Sequence, residues 1–334
     1  MDFSHVKLSR NSFQKVIHVS HNDLDGLSPI VLSRIAFAGK ELLTKYCNYN
    51  RVDDIVLDLL EEEMDHMSVM FITDINVSED VAAEIDEYVD KGYRIYVLDH
   101  HDPKPAMPVE SYRHWMYLQN TYPDGRGTAA TSIFYEFLLG QGLLTSSLIM
   151  DDYVELVRLY DTWEWPDGDK SNRRAKRMND YLFMSDPKDF CDQVILRLTS
   201  AQAQASFSFE PQAEHLIDQE QQRIEDYCME KKQGMRCFQG QVDGTGRIYT
   251  YAVMIAELYQ SELGDMVCSE GIGELDFVVM IDLPKNKLSL RSNKATPVDV
   301  GAIARSLGGG GRAQTAGCPL NELTKPLFLD PLTD

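Results

Sequence analysis

The chain has 334 residues, a length typical of about two domains. Hydrophobic residues make up 43% of it, which supports real cores and excludes a wholly disordered chain. The formal net charge of −21 argues against a protein that grips long nucleic acid, because such binding depends on many contacts of Lys and Arg with phosphate.

Neither a membrane segment nor a secretory signal is indicated. No stretch reaches the roughly 20 apolar residues that a transmembrane helix needs, and the N-terminal segment MDFSHVKLSR lacks the apolar core of a signal peptide. None of the six cysteines forms a Cys-x-x-Cys pair, so a zinc ribbon or a redox motif has no support. We therefore expect a soluble, cytoplasmic protein without membrane contact.

The first half of the chain alternates strand-like and helix-like segments. Short apolar runs predict strands at residues 15–20, 68–75 and 93–98. Apolar side chains at helical spacing predict helices at residues 27–38, 81–89, 128–139 and 152–160. This repetition predicts a parallel sheet with helices on its faces.

The second half of the chain has a different pattern of predicted elements. A polar, helix-rich stretch contains one long charged helix at residues 211–232. Further strands are predicted at residues 248–256, 275–281 and 287–291, and a helix at residues 298–307. We expect an α/β fold with two lobes: a parallel-sheet domain at residues 1–185, a helical linker at residues 186–235 and a smaller α/β domain at residues 236–334.

Carboxylates and imidazoles follow the predicted strands of the first domain. They are His21, Asp23 and Asp25 after the first strand, Asp74 after the second, Asp99, His100 and His101 after the third, and Asp161 after a helix. If the chain stays extended after residue 20, His21, Asp23 and Asp25 point to one side. Because ligands gather outside the carboxyl ends of strands in an open parallel sheet, we expect these groups in one crevice.

A crevice with so many carboxylates calls for cations. Neighbouring carboxylates repel one another and cannot all stay ionised without them. Mixed carboxylate and imidazole ligands without thiolate favour Mn²⁺, with Mg²⁺, Co²⁺ or Fe²⁺ as substitutes. Two such ions would activate a water and stabilise a phosphoryl group during in-line attack.

Each of these residues also has an ordinary structural explanation. An aspartate after a strand is usually a helix cap or a turn residue, and a lone histidine is usually a packed or surface side chain. The order and spacing of all the groups together favour the metal site over these explanations.

With these motifs the sequence resembles the DHH phosphoesterase family. The motifs that carry the resemblance are residues 21–26 (HNDLDG), Asp74, residues 99–101 (DHH) and Asp161, and in the last part residues 289–292 (SLRS) and 308–317 (GGGGRAQTAG). The last part is similar to the DHH-associated substrate-binding domain, so the resemblance spans nearly the whole chain. It implies a phosphodiesterase or phosphatase of small nucleotides that uses two Mn²⁺ ions, with Mg²⁺ or Co²⁺ as alternatives.

The resemblance also implies roles for the matching residues of the first domain. Its metal ligands would be Asp23, Asp25, Asp74, His100 and Asp161, with Asp74 between the two ions. His101 would face the scissile phosphate or the leaving group. Asp99 would orient a neighbouring imidazole, as carboxylates behind metal ligands do.

In the second domain the resemblance implies phosphate-binding residues. Arg291 would bind a terminal phosphate of the substrate. The glycine run would approach a phosphate through its backbone N–H groups, because no side chains obstruct them; it consists of Gly308, Gly309, Gly310 and Gly311. Arg312 follows the run and would hold phosphate with two parallel hydrogen bonds.

Two positions depart from the family's pattern. Many members have a histidine where this chain has Val19, and we expect His21 to replace it as a metal ligand. The glycine run usually continues into a histidine, where this chain has Arg312. Arginine binds phosphate but cannot act as a general acid near neutral pH, so a proton-transfer role is not expected there.

The resemblance implies a small nucleic-acid substrate. A nanoRNase-like activity, hydrolysing short RNA oligonucleotides or linear dinucleotides to mononucleotides, is the leading interpretation, and the acidity disfavours long duplexes. Phosphodiesterases of cyclic dinucleotides or cyclic mononucleotides and a pAp phosphatase stay open, as does a catalytically weak nucleotide sensor. A homodimer also stays open.

For two tryptophans and one basic run we expect a structural role rather than contact with the substrate. Trp163 and Trp165 follow Asp161, and we expect them to pack beneath it rather than to stack on a base. The basic run at residues 173–177 is expected to form a solvated helix face.

Overall fold

The computed structural model describes residues 3, 6–101, 113–166, 170–200, 205–269, 275–293 and 295–333. Contacts divide the chain into two compact units, Met1–Ile217 and Asp218–Asp334. The domain limits expected at residues 185 and 235 stay a prediction. None of the helices in the described ranges is long and apolar enough to cross a membrane.

The first unit is built on a five-stranded parallel sheet. Its strands are β1 (Lys15–His21), β2 (Glu41–Cys47), β3 (Ser68–Thr73), β4 (Arg94–Asp99) and β5 (Met116–Leu118), in the spatial order β2-β1-β3-β4-β5. Its helices are α1 (Leu24–Ala36), α2 (Val52–Glu62), α3 (Glu79–Asp90), α4 (Ala130–Gly140), α5 (Leu148–Asp161), α6 (Arg173–Met184), α7 (Pro187–Thr199) and α8 (Pro211–Gln233), the last of which spans the boundary between the units. The predicted parallel α/β architecture is confirmed.

Helices cover both faces of this sheet, and the alternation of side chains in β1 shows how. Val16 packs into an apolar cluster with α1, α4 and α5, whereas Ile17 and Val19 pack into a second cluster with α2 and α3. Strand residues therefore need apolar side chains on both faces, which gives the continuous apolar runs seen in the sequence. Val19, where many family members have histidine, is a core residue here.

The sheet order reverses at β1, which has β2 on one side and β3 on the other. In open α/β sheets a crevice forms at this point, outside the carboxyl ends of the strands. The strands β1, β3 and β4 are neighbours, so the residues that follow them meet at one edge of the sheet. This arrangement positions the site described below.

The basic run at residues 173–177 was expected to form a solvated helix face, but most of its cations are paired with acidic side chains. Arg174 donates to both carboxylate oxygens of Asp152, at 2.7 and 3.0 Å. Lys176 contacts Asp180, and Arg177 pairs with Glu214 of α8. These cations are engaged with acidic side chains of the same unit, because α6 packs against α5 and near the start of α8.

The second unit is a mixed α/β fold. Its strands are β6 (Arg236–Gly240), β7 (Tyr249–Ile255), β8 (Phe277–Asp282), β9 (Lys287–Ser292), β10 (Gly310–Gly311) and β11 (Thr315–Pro319), in the order β10-β11-β9-β8-β7-β6. Its helices are α9 (Gln260–Ser269), α10 (Val300–Ser306) and α11 (Asp330–Thr333), with one π-helical turn at Lys325–Leu329. The strands β7 and β8 pair in parallel and the other neighbours are antiparallel. The expected smaller α/β domain is confirmed.

Candidate metal centre

The first group of site residues lies where β1 passes into α1. His21 ends β1, and Asp23 is the N-cap of α1, its Oδ1 accepting a 2.9 Å hydrogen bond from the N–H of Gly26. A side chain at Gly26 would clash, because its Cβ would lie 2.2 Å from the carbonyl oxygen of His21. The chain does not stay extended after His21, contrary to the expectation from strand periodicity: Asp25 lies in the first turn of α1.

Asp25 is held by the start of another helix. Its Oδ2 accepts a hydrogen bond from the N–H of Ala130 at 2.7 Å, and its Oδ1 accepts one from the N–H of Thr131 at 3.0 Å. These N–H groups belong to the first turn of α4 and have no partner within the helix itself. The helix dipole favours a negative charge at this end. The position of the buried Asp25 carboxylate is therefore fixed by α4.

Asp74 follows β3 directly and is both strained and buried. Its φ of 60° lies in the left-handed region, which is uncommon for residues other than glycine. Burial raises the pKa of its carboxyl well above the ordinary value, and the charges of Asp25 and Asp23 raise it further. Its Oδ2 has no hydrogen-bond partner among the residues that the structure describes. The ionised form of this carboxyl is therefore disfavoured unless a cation lies beside it.

The carboxylate of Asp99, at the end of β4, is hydrogen-bonded through both oxygens. Oδ1 accepts from the N–H of His100 at 2.8 Å and from Nδ1 of His101 at 2.9 Å. Oδ2 accepts from Nδ2 of Asn76 at 2.6 Å. Burial alone would lower the pKa of His101, but the hydrogen bond to Asp99 and the charges of Asp99 and Asp161 raise it.

His100 connects three carboxylates. Its Nε2 lies 3.4 Å from Oδ1 of Asp74, 3.4 Å from Oδ2 of Asp161 and 3.6 Å from Oδ2 of Asp25. Asp161 is the last residue of α5, and burial together with the charge of Asp25 raises its pKa to about 8. The Nε2 atom of His100 is buried and has no hydrogen-bond partner within the described part of the chain.

His21 stands on the other side of Asp74. Its Nδ1 lies 2.8 Å from Oδ2 of Asp23 and 3.7 Å from Oδ2 of Asp74, and in the described ranges it too is buried without a hydrogen-bond partner. Unpartnered nitrogens of His21 and His100 therefore flank Asp74, one near each of its two carboxylate oxygens. Divalent cations at these two places would satisfy these atoms and offset the carboxylate charge.

The side chains form three groups whose ligand atoms lie within 4.8 Å of one another. The groups are Asp25, His100 and Asp161; His21, Asp23 and Asp74; and Asp74, Asp99, His100 and His101. All eight residues expected at the site are thus brought together. The donors are carboxylate oxygens and imidazole nitrogens without thiolate, and this set fits divalent cations such as Mn²⁺ or Mg²⁺.

Two site residues were not found from the sequence. Tyr49 lies in the loop between β2 and α2, with its hydroxyl 3.2 Å from Nε2 of His101 and its ring centroid 4.9 Å from that of His21. Asn76 lies two residues after Asp74 and donates to Asp99. The sequence holds no signal for Tyr49, and for Asn76 none beyond its proximity to Asp74.

In the second unit Arg291 is half-buried in β9. Its Nη2 donates a 2.6 Å hydrogen bond to Oγ of Ser261 near the start of α9. Its stem packs against Gly264, where a Cβ would lie 2.5 Å from Cγ of Arg291. Burial lowers the pKa of the guanidinium, against the opposing charges of Asp265 and Glu262.

The glycine run forms the turn after α10 and the short strand β10. Gly308 has a φ of 82° and Gly311 a φ of 139°, so both need the conformational freedom of glycine. A Cβ at Gly309 would lie 2.1 Å from the carbonyl oxygen of Gly317. Gly310 pairs with Gly317, and Arg312 follows with an exposed side chain.

No protein-family model matches the chain. One curated protein, the oligoribonuclease NrnB of Bacillus subtilis (strain 168), is 34% identical to it over 312 residues, which cover 93% of this chain and 74% of NrnB. The chain belongs to the family of NrnB, the DHH phosphoesterases. The predicted family and the predicted class of hydrolase, acting on phosphodiester bonds, are thereby confirmed.

Two solved structures share the fold of this DHH phosphoesterase. The exonuclease RecJ bound to manganese is 15% identical, with a TM-score of 0.58, and the match covers 96% of this chain and 90% of RecJ. PggH from Vibrio cholerae, described as a pGpG-specific phosphodiesterase, is 11% identical with a TM-score of 0.52, covering 96% and 97%. At these identities the likeness concerns the fold.

Proposed function

We propose that the chain is a divalent-metal-dependent phosphodiesterase that hydrolyses short RNA oligonucleotides and linear dinucleotides to mononucleotides. The observation that carries this proposal is the convergence of buried, unpartnered atoms of His21, Asp74 and His100 within a carboxylate cluster, among the residues that the structure describes. The identity with NrnB, an oligoribonuclease, supports the reaction and the class of substrate.

The proposed metal ligands divide into two sets that share Asp74. One set is Asp25, Asp74, His100 and Asp161, and the other is His21, Asp23 and Asp74. Mn²⁺ is the expected ion, with Mg²⁺ or Co²⁺ as substitutes, and RecJ with bound manganese has the same fold. When bound, two such ions polarise phosphoryl oxygens and lower the pKa of a water.

The remaining residues of the cluster would act on the substrate and on one another. Oδ1 of Asp99 accepts a 2.9 Å hydrogen bond from Nδ1 of His101. The opposite ring nitrogen, Nε2, therefore points away from Asp99. We assign His101 to hydrogen-bond the scissile phosphate or the leaving oxygen through Nε2, with the hydroxyl of Tyr49 beside that atom at 3.2 Å. Asp99 is then a positioning residue.

The second unit would hold a phosphate of the substrate. The guanidinium of Arg291 has the neutral Ser261 hydroxyl as its hydrogen-bond partner, and a phosphate would offer it a stronger, charge-assisted one. We assign the backbone of the glycine run, Gly308 to Gly311, and the exposed Arg312 to the same task.

Short linear substrates are favoured over the alternatives. The net charge of −21 opposes binding along an extended polyanion, and NrnB and PggH are described as acting on oligoribonucleotides and on pGpG. Cyclic nucleotides, pAp and a sensor without turnover are less favoured. A cytoplasmic location and a homodimer stay predictions.

One assay in Mn²⁺ tests the proposal. Labelled RNAs of two to about ten nucleotides, linear and cyclic dinucleotides and pAp are incubated with the protein, and mononucleotide release is measured. We expect release from the short linear substrates, its loss with EDTA or in Asp74→Asn, and no loss in the control Asp90→Asn, whose side chain is exposed at the end of α3. Hydrolysis of only cyclic substrates or only pAp would overturn the proposal.

A further inference from the structure

The end of α5 places a tryptophan in a backbone conformation that normally belongs to glycine. Trp163 follows the C-cap Thr162 and has a φ of 60°. Its N–H donates to the carbonyl of Tyr160 at 3.1 Å, and the N–H of Glu164 donates to the carbonyl of Leu159 at 3.0 Å. These two bonds define a Schellman motif, in which the residue after the cap is left-handed.

Three other described helices end in the same motif, and each has glycine at this position. They are α3 with Gly92, α4 with Gly142 and α10 with Gly308, whose φ values are 89°, 65° and 82°. Both characteristic bonds are present in each of them. Because a left-handed backbone brings Cβ close to the following carbonyl oxygen, a bulky residue is strained there. The helix ending therefore does not explain the tryptophan.

Packing does not explain it either. Trp163 is 43% exposed, whereas Trp165 is packed against the core of the unit. The ring of Trp163 contacts those of Tyr160 and Trp165, with centroids 6.4 and 5.6 Å away. The expectation that Trp163 is packed beneath Asp161 is therefore wrong. A strained residue with an exposed aromatic side chain indicates a function.

The position of Trp163 along the chain suggests which function. Asp161, two residues earlier, has its Oδ2 3.4 Å from Nε2 of His100 in the metal centre. Two peptide steps keep the Cα atoms of Trp163 and Asp161 within about 7.6 Å of each other. A nucleotide whose phosphate lies at the metal centre carries its base one sugar ring away, a distance comparable to this Cα separation.

The loop that carries Trp163 is fixed by the residues beneath it. Nη1 of the buried Arg158 lies 2.9 Å from Oε2 of Glu164, whose Oε1 accepts a 3.0 Å hydrogen bond from the N–H of Gly127. A Cβ at Gly127 would lie 2.6 Å from the methyl group of Thr162. A rigid aromatic surface binds a ligand with little loss of conformational entropy.

We propose that Trp163 is a stacking platform for a nucleobase of the substrate, next to the scissile phosphodiester. This inference rests on the proposed function, because it assigns to the reaction a residue that binds the base rather than the phosphate. Stacking on an aromatic side chain accepts every base, which suits an enzyme that degrades short RNA without a defined sequence. The contribution of one stacked base to affinity is about 5- to 150-fold.

The test compares a linear dinucleotide with an analogue that lacks one base. The variants are Trp163→Gly, which fits the Schellman motif, Trp163→Leu, which keeps an apolar side chain without a ring, and Trp163→Phe, which keeps a ring. Base removal is expected to lower kcat/KM about tenfold or more in the wild type and in Trp163→Phe, and much less in the other two. The control is Phe183→Leu, an exposed aromatic residue of α6, which should behave as the wild type does.

A binding measurement keeps the inference separate from the proposed function. Adenosine monophosphate is expected to quench tryptophan fluorescence in the wild type and not in Trp163→Phe, which retains Trp115 and Trp165. Equal sensitivity of all variants to base removal, or quenching unchanged in Trp163→Phe, would overturn the platform. If the wild type is quenched but cleaves no linear oligonucleotide, the platform stands and the proposed function fails.

Discussion

Asn76 holds Asp99 on the side opposite to His101. Nδ2 of Asn76 donates a 2.6 Å hydrogen bond to Oδ2 of Asp99, whose Oδ1 accepts from Nδ1 of His101 at 2.9 Å. Asn76 and Asp99 are both buried, so solvent does not replace this contact. Because both oxygens are engaged within the protein, the geometry supports the proposed orienting role of Asp99.

Removing the Asn76 amide should reduce turnover more than substrate binding. In Asn76→Leu the Oδ2 atom of Asp99 is left buried without a donor, which costs about 1–3 kcal/mol of stability. Loss of the second contact behind an active-site imidazole typically lowers activity by about 10- to 100-fold. Steady-state kinetics should show this loss in kcat with little change in KM, and a change confined to KM would contradict it.

A second variant separates orientation from packing. Asn76→Asp places a second carboxyl against Asp99, and two carboxyls in contact do not both ionise. The protonated form can donate a hydrogen bond as the amide does. Activity of this variant relative to the wild type should therefore recover as the pH falls, whereas that of Asn76→Leu should not.

The Tyr49 hydroxyl should contribute through His101. Tyr49→Phe removes the group that lies 3.2 Å from Nε2 of His101 but keeps the ring beside His21. A hydrogen bond of ordinary strength corresponds to about 0.5–1.5 kcal/mol, so we expect kcat/KM to fall about two- to tenfold. Tyr49→Leu, which also removes the ring contact, should lower it further. Wild-type kinetics in Tyr49→Phe would leave the ring with a packing role only.

Burial determines which strands could be predicted from the sequence. Every residue of β3 is buried, so its apolar run is unmistakable, and the same holds for the centre of β1. The strand β2 was missed, because it is an edge strand in which only Cys47 is buried and polar residues interrupt the pattern. The helix α2 and the loop that carries Tyr49 were missed with it.

The residues of the site could be predicted from the sequence, but the hydrogen bonds that hold them in place could not. Strand ends and the spacing of Asp and His residues were sufficient to indicate the eight clustered side chains. The hydrogen bonds that α4 makes to Asp25 join residues more than 100 positions apart, and no local pattern encodes them. The exposure of Trp163 likewise depends on where α5 ends. The sequence does not mark this end, because tryptophan stands at the left-handed position where the other Schellman motifs have glycine.

Gly26 should be indispensable for the turn from β1 into α1. In Gly26→Ala the new Cβ would lie 2.2 Å from the carbonyl oxygen of His21, so β1 and α1 must separate. We expect a loss of about 3 kcal/mol in the free energy of unfolding. The control is Gly140→Ala in α4, where among the described residues no atom lies within 4 Å of the added Cβ and helix propensity favours alanine. Urea unfolding of both variants measures the difference.

His18 should make the protein sensitive to mild acid. Burial lowers its pKa from 6.5 to about 3, while its nitrogens contact Ser33 and Thr73 at 2.7 and 2.9 Å. The unfolded chain therefore binds a proton below about pH 6.5 that the folded chain does not bind until about pH 3, so stability is lost as the pH falls through this window. Between pH 7 and pH 5 the loss is about 2 kcal/mol.

The variant His18→Gln keeps hydrogen-bonding atoms but does not titrate. Its urea-unfolding free energy should fall less between pH 7 and pH 5 than that of the wild type. The exposed His66 provides the control, and His66→Gln should retain the wild-type pH dependence. Parallel pH profiles for the wild type and His18→Gln would show that another group controls acid stability.

Divalent cations should stabilise the first unit strongly, because Asp23, Asp25, Asp74 and Asp161 repel one another without them. A ligand that binds only the folded state at 100 times its Kd adds about 2.7 kcal/mol. Mn²⁺ should therefore raise Tm, and EDTA should reverse the rise. Calorimetric titration should give two ions per wild-type chain and fewer in Asp74→Asn, since this residue borders both proposed ligand sets. Asp90→Asn is the matched control, and one ion bound equally by wild type and Asp74→Asn would rule out the shared ligand.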